Sequence, residues 1–139
     1  MIIQEIPLLP QPFTVNPINV TLNEQSCQIT LDSINEFSEY SLQIINFFTV
    51  FNLNFNGQQI VRGAFCRSRG NLTPFCMPRN TIPNFSGNIF FYSPYTTDNP
   101  LYVDFGTIYR LFYSDEFAFD PNDPLHDEFI NALKGYFKR

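Results

Sequence analysis

The sequence predicts an all-β protein, a small antiparallel barrel or sandwich with an extended N-terminal arm and a C-terminal α-helix. Several short runs alternate apolar and polar residues with a period of two, and an Asn-Gly turn signal joins two of them. Only the tail repeats apolar residues at helical spacing. We therefore expect an arm over residues 1–12, a β-domain over residues 13–114, and an acidic turn with the helix over residues 115–139.

The predicted arm contains three prolines, Pro7, Pro10 and Pro12. Proline removes a backbone donor and fixes φ, so these residues favour an extended segment over a helix. We expect the apolar side chains of the arm to lie against the domain itself or against a neighbouring chain. The candidate contact residues are Ile6, Leu8 and Leu9.

The first β-hairpin is predicted from two alternating runs, residues 18–22 and 27–31, with a short polar link between them. Residues 33–46 are ambiguous, because they fit either a short helix capped by Asp32 or Ser33 or a further strand over residues 40–44, and we favour the strand. Residue types with high β-propensity predict two more strands near the other end of the domain, residues 88–93 and 107–113.

The clearest hairpin is centred on Asn56-Gly57. Residues 47–55 place Phe and Leu on one face and Asn on the other, and residues 58–62 form the returning strand. Both central positions of a type I′ turn need positive φ, which Asn and Gly tolerate best. Residues 63–87 are rich in Gly and Pro, so we expect a loop there.

The tail predicts an amphipathic helix over residues 124–137. Asp123 is a suitable N-cap, and Pro124 suits the first turn. Acidic residues near the start and basic residues near the end match the helix dipole. The apolar stripe is expected to dock on the β-domain or on a partner, and its residues are Phe129, Leu133 and Phe137.

Charge is distributed unevenly along the chain, which has a net charge of −5. Overall acidity argues against non-specific binding of nucleic acid, which needs Lys and Arg to neutralise phosphates. Eight acids and one arginine lie between Asp98 and Glu128, which suits head-to-tail packing of subunits against a basic patch. Two solvated faces of a monomer remain the alternative. The candidate basic patch is Arg62, Arg67, Arg69 and Arg79.

Aromatic residues make up 17% of the chain and charged residues only 15%, which indicates that partners cover part of the surface. An aromatic-rich core under an Asn-rich surface is the alternative. The three cysteines lack the spacing of a disulfide framework or a zinc site, so we expect free thiols in a reducing compartment. The single histidine, His126, lies on the predicted helix. The sequence thus predicts no catalysis, cofactor, bound metal or membrane span.

Three segments together resemble the baseplate plug family of contractile-tailed bacteriophages. They are the opening Gln4-Glu-Ile-Pro-Leu-Leu-Pro10, the strand with its Asn56-Gly57 turn, and Asn99-Pro-Leu-Tyr-Val-Asp-Phe-Gly106 running into Tyr-Arg-Leu-Phe-Tyr113. Phenylalanine stands where the family has a tryptophan-centred strand. The resemblance, over residues 4–113, implies a β-rich virion protein at the hub and distal end of the tail tube.

In that role the protein would plug or seal the tube and act by protein–protein assembly, without catalysis. The implied partners are other baseplate, hub and tail-tube proteins, with self-association in a symmetric ring. The implied location is the virion tail baseplate, assembled in the host cytoplasm, with at most passive contact with DNA in the tube.

Two other functions remain open from the sequence. A carbohydrate- or receptor-binding β-sandwich would use surface aromatic residues such as Tyr92, Tyr95 and Tyr102. A small enzyme would need a concave pocket with convergent polar groups.

Overall fold

The computed structural model describes residues 1–8, 14–37, 44–66, 85–96, 98, 100–101, 104–116 and 118–138. Within these ranges the chain forms seven strands and one helix. Two antiparallel sheets face each other, and the helix covers the second sheet. This arrangement confirms the predicted all-β class with a C-terminal helix, in its sandwich form, because the described strands do not close into a barrel.

The first sheet is a four-stranded meander in the order β2-β3-β4-β5. Both of its two-residue turns have positive φ at both positions, 48° and 65° at Asn23 and Glu24, and 51° and 75° at Asn56 and Gly57. This is the conformation that lets a tight hairpin follow the twist of its strands. Both predicted hairpins are present, and the first turn is shorter than the polar link predicted for it. The strands are β2 (Thr14–Leu22), β3 (Gln25–Phe37), β4 (Ile44–Phe55) and β5 (Gln58–Cys66).

Strand structure extends further than the local sequence predicted. In the ambiguous region β3 runs to Phe37 and β4 begins at Ile44, so residues 33–37 form a strand and not a capped helix. The further strand predicted over residues 40–44 stays a prediction, because residues 38–43 lie outside the described ranges. The loop predicted from residue 63 is wrong for its first four residues. Gly63 has a φ of 66° within a bulge of β5, and this bulge lets the strand continue to Cys66.

The second sheet has the order β1-β7-β6, with β1 at Ile3–Ile6, β6 at Asn88–Tyr92 and β7 at Arg110–Ser114. Residues 3–6 of the arm predicted over residues 1–12 are extended, but they form a strand of the β-domain, and residues 9–12 lie outside the described ranges. Sequence gave no sign of this pairing, because the partner strand β7 is about a hundred residues away along the chain. The strand predicted from residue 107 begins later, since Tyr109 N–H donates to the Asp104 carbonyl (3.0 Å) and closes a turn.

Two hydrophobic layers hold the protein together. Residues of the second sheet alternate between them, with Phe91 and Leu111 facing the first sheet, and Phe90 and Phe112 facing the helix. Because both faces of this sheet are covered there, β6 and β7 are apolar over most of their length, as is typical of a buried strand, whereas β1 at the sheet edge carries Gln4 and Glu5.

The helix α1 spans His126–Gly135 and is shorter than the predicted 124–137. Asp123 does not cap it directly. Its carboxylate accepts the Leu125 N–H (2.9 Å) and its carbonyl accepts the His126 N–H (3.0 Å), so it closes the turn before the helix. The Asx turn uses the same side-chain chemistry as an N-cap, which is why sequence placed the boundary two residues early.

Candidate interaction surface

The two ends of the resemblance region meet in the second sheet. Strand β1 carries the opening motif and lies antiparallel to β7, with Ile6 opposite Leu111. The Glu5 carboxylate pairs with the Arg110 guanidinium, Oε1 to Nη1 at 2.9 Å, on the face that carries the helix. Their side chains are 28% and 22% exposed, so solvent screens the pair only partly. Motifs that are far apart in sequence thus form one unit.

The turn over residues 104–109, which contains Asp104 and Gly106 and which we call the aspartate-glycine turn, packs against the same unit. The Gly106 N–H donates to the Tyr109 carbonyl (2.8 Å), and Gly106 has a φ of 78°. A Cβ at this position would overlap the backbone carbonyl of Leu8. Only glycine fits both the left-handed backbone and the close approach. The chain that follows β1 therefore depends on this glycine for its path.

Tyr109 fixes the neighbouring loop to the turn. Its side chain is buried, and its hydroxyl donates to the backbone carbonyls of Asp98 and Thr96, the latter at 3.3 Å. Burial, together with the nearby carboxylates of Asp98 and Asp104, raises the pKa of Tyr109 to about 12. The hydroxyl therefore stays a hydrogen-bond donor at every physiological pH.

The C-terminal end of the helix adds aromatic rings above the Glu5–Arg110 pair. The Arg110 guanidinium lies 4.9 Å from the centre of the Phe137 ring, a cation–π distance. The Tyr95 ring meets Phe137 edge-on at 5.8 Å, and the Tyr136 hydroxyl donates to the Ile3 carbonyl at 3.1 Å. We call this group the helix-end surface, and its residues are Glu5, Tyr95, Arg110, Tyr136 and Phe137.

The helix-end surface is open to solvent where its aromatic residues lie. Tyr95 is 63% exposed, the highest value among the exposed large apolar side chains of the described residues, and Tyr136 is 37% exposed. The Nε of Arg110 is buried and has no hydrogen-bond partner within the described part of the chain. Tyr and Arg are the residue types that most often dominate protein interfaces. The arrangement therefore has the chemistry of a contact site for another polypeptide.

Several residues predicted for an interface lie instead in the core. Ile6 and Leu8 are 1% and 8% exposed and pack between the sheets, so their assignment to a contact with a neighbour is corrected. Phe129 and Leu133 are fully covered by the second sheet, which shows that the helix stripe docks on its own domain. Phe137 is half-buried and is shared between that contact and the helix-end surface.

The basic patch is described only in part. Arg62 is exposed on β5, whereas the other three arginines lie outside the described ranges; they are Arg67, Arg69 and Arg79. Leu9, a predicted contact residue of the N-terminal arm, also lies outside them. In the acidic segment, residues 98–128, the acids are exposed except for Asp104 and Asp123, which are half-buried, and the Asp115 carboxylate also accepts the Ile2 N–H at 2.6 Å. Its other exposed acids are Asp98, Glu116, Asp120, Asp127 and Glu128.

The sequence does not identify three residues of the helix-end surface as interface residues. Two of them, Glu5 and Arg110, lie within motifs of the family resemblance, and the third is Tyr136. All three meet at the second sheet: Glu5 and Arg110 lie on its strands, and Tyr136 bonds to it through the Ile3 carbonyl. No local pattern in the sequence indicates that β1 and β7 pair. Of the three tyrosines predicted for sugar binding, Tyr95 is exposed, whereas Tyr92 is 8% exposed and packs against Phe119 and Phe137. The third, Tyr102, lies outside the described ranges.

The described cysteines are buried side chains of the core. They are Cys27 and Cys66, and Cys76 lies outside the described residues. Burial raises the pKa of the Cys27 thiol to about 11, which keeps it protonated and unreactive.

Among the residues that the structure describes, no group of three or more His, Cys, Asp and Glu side chains is placed to hold a metal ion. The described helix is too short and too polar to cross a membrane. Comparisons of the chain with models of protein families, with curated proteins and with solved structures gave no match.

Proposed function

We propose that this protein is a structural component of a contractile phage tail baseplate, associated with the hub and the distal end of the tail tube, where it acts as a plug or seal. Its partners are neighbouring baseplate, hub and tube proteins and further copies of itself. It works by protein–protein assembly and not by catalysis.

One observation carries the proposal. Two of the three segments that carry the family resemblance, the opening one and the one that ends at Tyr113, are about a hundred residues apart and form one unit in which Glu5 pairs with Arg110 and Leu8 packs on Gly106. Short motifs that resemble a family by chance have no reason to lie together in space. Their convergence favours a shared fold. Because a fold alone does not determine function, the baseplate role rests on the resemblance of the motifs and on the surface chemistry.

The surface chemistry supports an assembling protein. The helix-end surface combines exposed Tyr95 and Tyr136 with a guanidinium, which is the composition of an interface hot spot. In the helix, Asp127 and Glu128 lie in the first turn and Lys134 lies in the last turn. Unequal charge at the two ends suits a head-to-tail contact, in which one subunit presents a different patch from its neighbour.

The test uses purified tail particles that contain this chain. Mass spectrometry of the particles is expected to find the protein at a fixed copy number, and imaging is expected to place it at the distal end of the tube. A protein that is absent from washed tails, or present in variable trace amounts, would refute the proposal.

A pair of variants tests the contact site separately. Removing residues 2–10 would delete β1 from the sheet, so a surface substitution is the better choice. We expect Tyr95→Ala to fold normally but to enter tails poorly, whereas Leu125→Ala, at another exposed apolar residue, is incorporated like the wild type. Normal incorporation of Tyr95→Ala would remove the helix-end surface from the proposal and leave the baseplate assignment standing.

A further inference from the structure

The outer face of the first sheet carries a row of four carboxamide side chains. The register places Asn19 of β2 opposite Gln28 of β3, Gln28 opposite Asn54 of β4, and Asn54 opposite Gln59 of β5. Each strand thus contributes one amide at the same level. Adjacent strands are about 4.8 Å apart, so the row spans roughly 14 Å across the sheet.

Hydrogen bonds orient this row. The Asn54 amide donates to Gln28 Oε1 at 3.2 Å, and the Gln28 amide donates to Asn19 Oδ1 at 3.3 Å. Each carboxamide has two N–H donors and two acceptor positions, so these bonds use only part of its capacity. Asn19 and Gln59 are exposed, and Gln28 and Asn54 are half-buried. The remaining donors and acceptors are therefore held in place and accessible to a ligand.

The level next to the row is also polar and ordered. Thr30 lies opposite Asn52, whose amide donates to the Asp32 carboxylate at 3.4 Å and whose carbonyl accepts the Gly63 N–H at 2.8 Å. The charge of Asp32 is thus partly satisfied within the sheet, while the carboxamide row itself carries no charge. A neutral row is notable in a chain whose net charge is −5.

We propose that the carboxamide row binds a neutral polysaccharide. A carboxylate or phosphate would use the amide N–H donors and leave the amide carbonyls unpaired, and the acidic protein would repel it. An ammonium group would use the amide carbonyls and leave the N–H donors unpaired. A sugar hydroxyl both donates and accepts, as a carboxamide does, and neighbouring hydroxyls repeat along the polymer. A neutral polymer also meets no repulsion from the acidic protein. This site lies on a different sheet from the helix-end surface and does not depend on the proposed function.

The test is native affinity electrophoresis of the intact protein in gels that contain amylose, hydroxyethylcellulose or galactomannan. Polygalacturonate serves as the acidic comparison. We expect at least one neutral polysaccharide to slow the wild-type protein and polygalacturonate not to slow it. Gln28→Ala and Asn54→Ala are each expected to weaken the apparent affinity about five- to tenfold, the loss of one or two hydrogen bonds.

A matched control pair is available on β5. Gln59 belongs to the row, whereas Gln58 is an exposed glutamine next to it that does not. We expect Gln59→Ala to weaken retention and Gln58→Ala to leave it unchanged, and both variants should unfold at the same urea concentration as the wild type. The proposal is overturned if no neutral polysaccharide slows the protein, if only polygalacturonate or a glutamine-rich peptide binds, or if row and control variants behave alike. None of these outcomes bears on tail incorporation.

Discussion

Replacing Gly106 with alanine tests whether the aspartate-glycine turn holds the chain that follows β1. Gly106 has a φ of 78°, and a Cβ there would overlap the Leu8 carbonyl. Gly57 has almost the same φ, 75°, but a Cβ there would meet nothing within 4 Å. Gly57→Ala is therefore a matched control that shares the backbone strain and lacks the overlap.

The expected loss of unfolding free energy is the sum of two costs, that of the left-handed backbone and that of the overlap with Leu8. An alanine in the left-handed region costs about 1 kcal/mol at either site. At Gly106 the overlap is with backbone, so the Leu8 segment must move away, and withdrawing a buried leucine from the core costs about 1.5–3 kcal/mol more. We expect Gly106→Ala to lower the free energy of unfolding by about 3 kcal/mol, and Gly57→Ala to lower it by about 1 kcal/mol.

Urea denaturation followed by circular dichroism measures both values. The dependence of the unfolding free energy on urea should be the same in the two variants, because the surface exposed on unfolding is nearly unchanged. Equal losses in Gly106→Ala and Gly57→Ala would refute the reasoning, since they would mean that Leu8 makes no close contact with the turn in solution.

Three further substitutions test other parts of the fold. Phe129→Ala is expected to lower the unfolding free energy by about 3–5 kcal/mol, because the Phe129 ring fills the layer between the helix and the sheet. The control Leu125→Ala, at an exposed residue, should change it by less than about 0.5 kcal/mol. Similar losses for the two variants in urea denaturation would contradict the docking of the helix. Glu5→Gln is expected to cost about 1 kcal/mol or less, and the cost should shrink at high salt, so a loss that does not depend on salt would argue against the ion pair with Arg110. Burial raises the pKa of the Cys27 thiol from 9.0 to about 11. The neutral thiol therefore stabilises the fold fully below pH 9, and this contribution is lost as the pH rises towards 11. We expect the unfolding free energy of Cys27→Ala to fall less steeply between pH 9 and pH 11 than that of the wild type, and an equal slope would count against a buried thiol.

Local signals in the sequence predicted the elements well where both their pattern and their turn chemistry are local. The hairpin around Asn56-Gly57 is present with positive φ at both residues, and β6 lies within the predicted residues 88–93. The buried side of the helix was also correct, because Phe129 and Leu133 repeat at helical spacing. Boundaries were less accurate, since the Asp123 turn and the Gly63 bulge each use residue types that fit two structures.

The candidate surfaces were harder to predict. Ile6 and Leu8 are apolar in an extended, proline-rich segment, and this pattern is the same whether the segment covers its own domain or a neighbour. Only the position of β7 decides between the two. The helix-end surface and the carboxamide row likewise depend on which strands are adjacent and in which register.

What the sequence alone determined was the β-class, the tight hairpins and the amphipathic helix, because turn residues and hydrophobic period act over a few neighbouring positions. The tertiary structure decided that β1 joins β7, that Glu5 meets Arg110 and that four amides from four strands align. Those contacts join residues distant along the chain, and their register is set by the packing of two cores, which no local pattern encodes.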